Sequence, residues 1–105
     1  MALTTHLYGY VSRTVQGRGD SYYRIGAVRV INGNKDALQA FVFGSHRYKV
    51  DLYRKEDTLY ASCTCPYFEG EGGSCKHIWA TLLAGEKRSY LRGEDNSDPL
   101  RLIGL

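Results

Sequence analysis

The chain has 105 residues, 43% of them hydrophobic and 24% charged, and a net charge of +3. That fits one globular domain with a modest core, a size at which a bound metal is a common supplement. No run of about 18 apolar residues exists to span a membrane, the start at Met1 to His6 has no basic-then-apolar secretion leader, and a pI near 8.8 is only mildly basic, short of the value above about 9 that marks a nucleic-acid footprint by charge alone.

Residues 1–20 predict a short helix or a loose arm. Leu3, Leu7 and Tyr10 or Val11 fall near helical spacing, Gly9 weakens the pattern, and Gly17-Arg18-Gly19-Asp20 reads as a loop before a strand. Residues 21–32, rich in Tyr, Val and Ile, predict one or two strands with Gly26 at a bend or bulge. Asn32-Gly33-Asn34 is a turn signal, 38–43 a second apolar strand, and Gly44-Ser45 a tight hairpin turn. In 48–53 the side chains of Tyr48, Val50 and Leu52 alternate with those of Lys49, Asp51 and Tyr53. Lys55-Glu56-Asp57 turns the chain into 58–63, which carries Leu59, Ala61 and Cys63 on one face. The expected product is an antiparallel meander of three or four strands. After the loop Glu69-Gly70-Glu71-Gly72-Gly73, Ser74 is a helix N-cap. A helix over 75–84 then presents Ile78, Trp79, Leu82 and Leu83 as an apolar face and ends at Gly85. Residues 86–105 read as a flexible tail whose apolar end, from Leu100, packs back on the domain or begins a following segment.

All three cysteines fall between 63 and 75, and His77 stands two residues after the last. An odd count argues against a disulfide framework and for thiols committed to metal in a reducing, intracellular compartment, cytoplasmic in a bacterium or nuclear in a eukaryote. Cys63 and Cys65 at a strand end direct both thiols to one side. Pro66 ends strand pairing, and Cys75 with His77 arrives at a helix start whose dipole favours thiolate. The set Cys63, Cys65, Cys75 and His77 fills the shell of one structural, tetrahedral Zn²⁺. A catalytic zinc keeps a position open for water, and no acid–base or nucleophile constellation accompanies the cluster, so no enzyme is expected. Three thiolates on Zn²⁺ leave a formal charge of −1, which Lys76 partly offsets. His6 and His46 are isolated and read as surface residues.

The order Cys63-x-Cys65 then Cys75-x-His77, within Cys63-Thr64-Cys65-Pro66 and Cys75-Lys76-His77-Ile78-Trp79-Ala80, resembles the SWIM zinc finger, as does the preceding Tyr48-x-Val50-x-Leu52 strand. The resemblance covers about residues 46–84. A looser likeness upstream, through Gly19, Tyr22, Gly26, Val28 and Leu38-x-Ala40-x-Val42-x-Gly44, is to the N-terminal SWIM module of bacterial Snf2-type helicase-related proteins. No Walker-type phosphate loop is present. The resemblance implies an α+β fold, a small antiparallel sheet followed by a short helix and stapled by one zinc, with 1–20 as an arm or short helix, 21–85 as the zinc-stapled unit and 86–105 as a tail. It also implies a binding role, toward DNA or toward proteins.

For DNA, the candidate contacts are Arg47, Lys49, Arg54, Lys55, Lys76, Lys87 and Arg88, with Arg13, Arg18 and Arg92 behind them. Tyr53, Tyr60 and Tyr67 are available to stack on bases. Asp51, Glu56, Asp57, Glu69 and Glu71 interleave these cations, which suits a mixed solvated surface as well. The alternative is a protein-interaction module docking on a partner or a neighbouring domain.

Overall fold

The computed structural model describes residues 3–66 and 75–104. Chain entry is tighter than an arm: Leu3, Leu7 and Val11 are buried in the core, linked through a short 3₁₀ turn at Tyr8–Tyr10. Helix α1 follows at Arg13–Arg24, capped by Ser12, whose Oγ accepts from the Val15 N–H at 3.2 Å. The stretch read as a loop, 17–20, is therefore helix interior, and 21–24, read as strand, is its last turn. Two interior glycines cost a helix about 1 kcal/mol each. Packing overrides that penalty, because Gly19 faces Trp79 so closely that a Cβ there would sit 2.7 Å from its Cδ1. Gly26, with φ +76°, turns the chain out of α1 and makes no bulge; the bulge lies between Val30 and Asn32.

Five strands form one sheet in chain order: β1 (Val28–Gly33), β2 (Ala37–Phe43), β3 (Arg47–Lys55), β4 (Thr58–Cys63) and β5 (Arg101–Gly104). The first four make the expected antiparallel meander. Its turns differ in detail. Asn34 Oδ1 accepts from the Asp36 and Ala37 N–H groups, an Asx turn that places the β1–β2 link just after Gly33. Phe43 pairs with Arg47, so 44–46 form a three-residue link. The fifth strand is the correction to a purely antiparallel sheet: β5 pairs with β4 in parallel.

Alternation sorts the strands into two faces. Leu38, Ala40, Val42, Val50, Leu52, Leu59, Ala61 and Cys63 are buried on one face, where helix α2 (Lys76–Lys87) packs with Ile78 and Leu82 buried, and α1 packs on α2 against Trp79. Cys75 N-caps α2. The Ser74 cap and the loop read at 69–73 lie outside the described residues. The helix runs past Gly85, which is packed inside its last turn, where a Cβ would come to 2.7 Å from Leu38 Cδ2. Among the described residues no helix covers the other face, whose residues the register arranges in rows: Arg29–Phe41–Lys49, then Asn32–Gln39–Asp51–Ser62, then Ala37–Tyr53–Tyr60–Ile103, then Lys55–Thr58–Arg101.

The segment after α2 is docked rather than loose. Leu91 and Leu102 are buried, and the Leu100 and Arg101 N–H groups donate to the Asp57 carbonyl at 2.7 and 3.2 Å, setting β5 beside the β3–β4 turn. Glu86 accepts from both the amide and the hydroxyl of Thr4 at 2.9 and 2.7 Å, tying the chain start to the end of α2. Arg54 is the main anchor: its guanidinium donates to the carbonyls of Leu91 (3.0 Å), Ser97 (2.6 Å) and Glu56 (2.6 Å) and to Ser97 Oγ (3.1 Å). Charged hydrogen bonds contribute about 1.5–3 kcal/mol each at best and overlap when shared by one group. Arg54→Ala is expected to lower stability by roughly 2–3 kcal/mol and to remove hydrogen-exchange protection selectively from residues 91–104, with the zinc retained.

Candidate metal centre

The site is built where β4 stops. Cys63 pairs across to Val50 and points, like Ala61, toward the helix-covered face. The ladder continues one residue further, because the Thr64 N–H donates to the Lys49 carbonyl at 3.2 Å and Thr64 Oγ1 accepts from the Lys49 N–H at 3.0 Å. That extension keeps the backbone strand-like, so the i,i+2 spacing of Cys63 and Cys65 places both thiols on one side. Cys75 and His77 approach from the first turn of α2. The Cys75 carbonyl takes the Trp79 N–H, and Thr81 Oγ1 donates to the His77 carbonyl at 2.8 Å, fixing that turn.

The ligand atoms of Cys63, Cys65, Cys75 and His77 all lie within 4.8 Å of one another, and all four residues are buried. His77 Nδ1 is 3.7 Å from Cys63 Sγ and 3.7 Å from Cys75 Sγ. A tetrahedron with Zn–S of about 2.3 Å and Zn–N of about 2.0–2.1 Å has edges of roughly 3.5–3.8 Å. The observed separations are thus close to those that a bound Zn²⁺ would impose. Nδ1 faces the thiols and would be the coordinating nitrogen, and the buried Nε2 has no hydrogen-bond partner among the described residues. The imidazole is held instead by aromatic walls: Tyr48 stacks on it at 4.5 Å between ring centres and Tyr22 tilts against it at 5.3 Å.

Cys63 and Cys75 behave as a hydrogen-bonded pair. Cys75 is lowered to about 4, first by a hydrogen bond from Cys63, with the His77 side chain and the Ile78 backbone N–H adding to it. Cys63 is pushed up by that same hydrogen bond and by burial. A metal ion bound here would take the place of the shared proton and relieve both. Lys76, expected to offset the cluster's charge, is half-buried with its ammonium 5.3 Å over the Tyr22 ring. It lines one cleft with Arg18, Tyr48, Pro66, Cys75 and His77.

Residues 48–86 match the SWIM zinc finger, starting and ending two residues later than the 46–84 read from the motif. Comparison with curated proteins and with solved structures gives no match. The matched segment is a zinc-binding SWIM module whose Cys63, Cys65, Cys75 and His77 can hold one Zn²⁺. No described helix is long and apolar enough to cross a membrane.

The other candidates separate by place. Arg47, Lys49 and Lys55 lie on the uncovered sheet face, with the Arg47 guanidinium 4.4 Å over the Phe41 ring. Lys87 and Arg88 sit at the end of α2, Arg13 and Arg18 are exposed on α1, and Arg92 pairs with Asp98 at 3.1 Å. Arg54 is committed to the C-terminal segment and is not offered outward. Tyr53 and Tyr60 stack on the uncovered face at 5.1 Å and 20°, whereas Tyr67 lies outside the described residues. His6 and His46 are exposed, as read. The sequence reading did not single out Arg24, Arg29, Phe41 or Phe43. Arg24, Lys87 and Arg88 line one cleft with Tyr23, Gly26, Val28 and Ala84; Arg29, Phe43 and Arg88 line the next with Gly26, Val28 and Val30. Strand alternation was the available signal for Arg29 and Phe41, once β1 and β2 are set in register.

Proposed function

We propose that this chain is a non-catalytic, zinc-stapled module that binds nucleic acid, DNA first, as part of a larger helicase- or chromatin-type protein such as a Snf2-type one. The observation that supports it is the separation of charge along the strands. At the Val28–Val42–Tyr48 end, the two clefts carry Arg24, Arg29, Lys87 and Arg88 and are lined by no carboxylate among the described residues. At the other end, Asp36, Glu56, Asp57, Glu94, Asp95 and Asp98 gather round Arg54. A net charge of +3 thus hides an uneven surface, and a polyanion is attracted more to the end of these two clefts than to the other. The zinc ligands sit at the basic end, because Cys63 pairs with Val50 beside Lys49. The metal's task is to hold that end of the sheet to α2. With the shell filled by four protein ligands, it has no position for a reacting water, in keeping with a binding role.

Fluorescence anisotropy of labelled DNA with the zinc-loaded protein tests this reading. Four phosphate contacts would weaken binding roughly 50- to 150-fold between about 50 and 200 mM salt. Absence of binding at low salt overturns it and leaves protein docking. The feature that favours docking is β1, an edge strand of the sheet whose Ile31 is 49% exposed at the bulge, a place where a partner strand can add.

A further inference from the structure

The uncovered sheet face has two stacking stations and a cationic border. At one, the Arg47 guanidinium lies on Phe41, with Arg29 and Lys49 as the cross-strand neighbours of that ring. At the other, Tyr53 and Tyr60 form a stacked pair, and Tyr53 is 45% exposed. Along β3 the stations are four residues apart, Lys49 to Tyr53, or roughly 13 Å at about 3.3 Å per residue.

We infer that this face is a platform for single-stranded nucleic acid, with bases stacked on the Tyr53–Tyr60 pair and on the Arg47 guanidinium, and phosphates held by Arg29 and Lys49. The inference rests on the nucleic-acid reading above and names the form of ligand and where it lies. Its physical basis is that the faces of bases in a duplex are already covered by their neighbours. Only unpaired bases can offer a π-face to an aromatic ring or a guanidinium plane. A sheet face carrying a stacked tyrosine pair and a guanidinium plane, with cations beside them, therefore fits a single strand and offers a duplex little. Charge favours the same occupant. On the uncovered face the strands bring Arg29, Arg47, Lys49, Lys55 and Arg101 against one strand carboxylate, Asp51. Asp51 is already engaged by Gln39 Nε2 at 2.8 Å and lies 3.9 Å from Lys49 Nζ. The acidic cleft beyond Lys55 limits the path at that end. Arg29 and Phe43 carry it off the face at the other end, into the cleft shared with Arg88.

The test is anisotropy with labelled oligothymidine, an RNA single strand and a duplex of equal length, on the zinc-loaded protein. Single strands of either sugar are expected to bind at least tenfold more tightly than the duplex. Tyr53→Ala and, separately, Arg47→Glu are each expected to weaken single-strand binding about tenfold or more, whereas Tyr53→Phe, which keeps the ring, restores it. Zinc content and melting temperature report folding, and the two stations are remote enough for one variant to read out if the other melts early. Two results overturn the platform while leaving nucleic-acid binding intact. One is duplex affinity equal to single-strand affinity. The other is normal binding by the sheet-face variants while Lys87→Ala with Arg88→Ala loses it. Failure to bind any of the three probes overturns the underlying reading itself.

Discussion

Purified protein is expected to carry one zinc ion per chain, and its removal by a chelator is expected to unfold the domain rather than to loosen a loop. Apparent binding energies for structural zinc in small finger peptides run from about 10 to 16 kcal/mol, while whole domains are stable by about 5–15 kcal/mol. Here the ligands are not a surface ornament. Cys63 belongs to the buried face of the sheet, and Cys75 and His77 open the helix that covers it, so the metal joins the two layers of the core. Without it, two coupled thiols, a third cysteine and an imidazole remain buried with one another, and keeping such polar groups out of water is costly. Cys75→Ser and His77→Ala are each expected to abolish stoichiometric zinc and to lower stability by several kcal/mol, seen as a large fall in melting temperature and loss of near-ultraviolet dichroism. Thiol titration gives an independent reading: all three cysteines should resist alkylation in the loaded protein and react after chelation. A chelated protein that keeps its melting temperature would show that the site is incidental to the fold.

This centre was legible because metal chemistry restricts sequence so severely. Four ligand types at fixed spacing, a strand that alternates into the first of them and a helix that opens on the last pair leave little freedom, and the geometry around Cys63 and His77 follows the spacing closely. The meander was legible for a similar reason, since period-two alternation in 48–53 and 58–63 leads directly into the cysteines. Helix α1 was hidden because its signals conflict locally. Gly17, Gly19 and the adjacent Tyr22-Tyr23 argue for loop and strand, and what makes the segment helical is Trp79, about 60 residues away, as set by its bond to Asp20. Ser12 as N-cap and Val11, Val15 and Tyr22 at helical intervals were the faint evidence on the other side. The C-terminal segment was hidden for a related reason: its Asp, Asn and Ser residues look unstructured until Arg54, a β3 residue, supplies hydrogen bonds to its carbonyls. The nucleic-acid candidates show the limit of reading charge along a chain, because Arg24, Arg29, Lys87 and Arg88, far apart in sequence, line neighbouring clefts only once the strands and helices are packed.

The contact of α1 with α2 makes the second large expectation, and it comes with an internal control. Trp79 is 2% exposed, donates from Nε1 to Asp20 Oδ1 at 3.3 Å, and meets the Tyr8 ring at 5.5 Å. Trp79→Ala is expected to cost about 3–5 kcal/mol, the range for emptying a large aromatic from a core, and to release α1 and the N-terminal segment together. The two glycines of α1 should then respond with opposite sign. At Gly17 a Cβ would meet nothing within 4 Å, so Gly17→Ala removes a helix penalty and is expected to stabilise by roughly 0.5–1 kcal/mol. At Gly19 a Cβ would lie 2.7 Å from Trp79 Cδ1, 2.8 Å from its Cβ and 2.9 Å from the Lys76 carbonyl oxygen. Backbone cannot yield as a flexible side-chain end can, so Gly19→Ala must push the helices apart and is expected to destabilise by about 1–3 kcal/mol despite the better helix former. Urea melts of the two single variants decide it. If both alanines stabilise, the close approach at Gly19 is not what holds α1 in place. Opposite signs would mean that the glycine which disguised this helix in the sequence is the residue that lets it pack. Because Lys76 lies between two zinc ligands, a shift of α2 at that carbonyl should also be felt at the metal, so Gly19→Ala is expected to lose zinc to a chelator faster than Gly17→Ala.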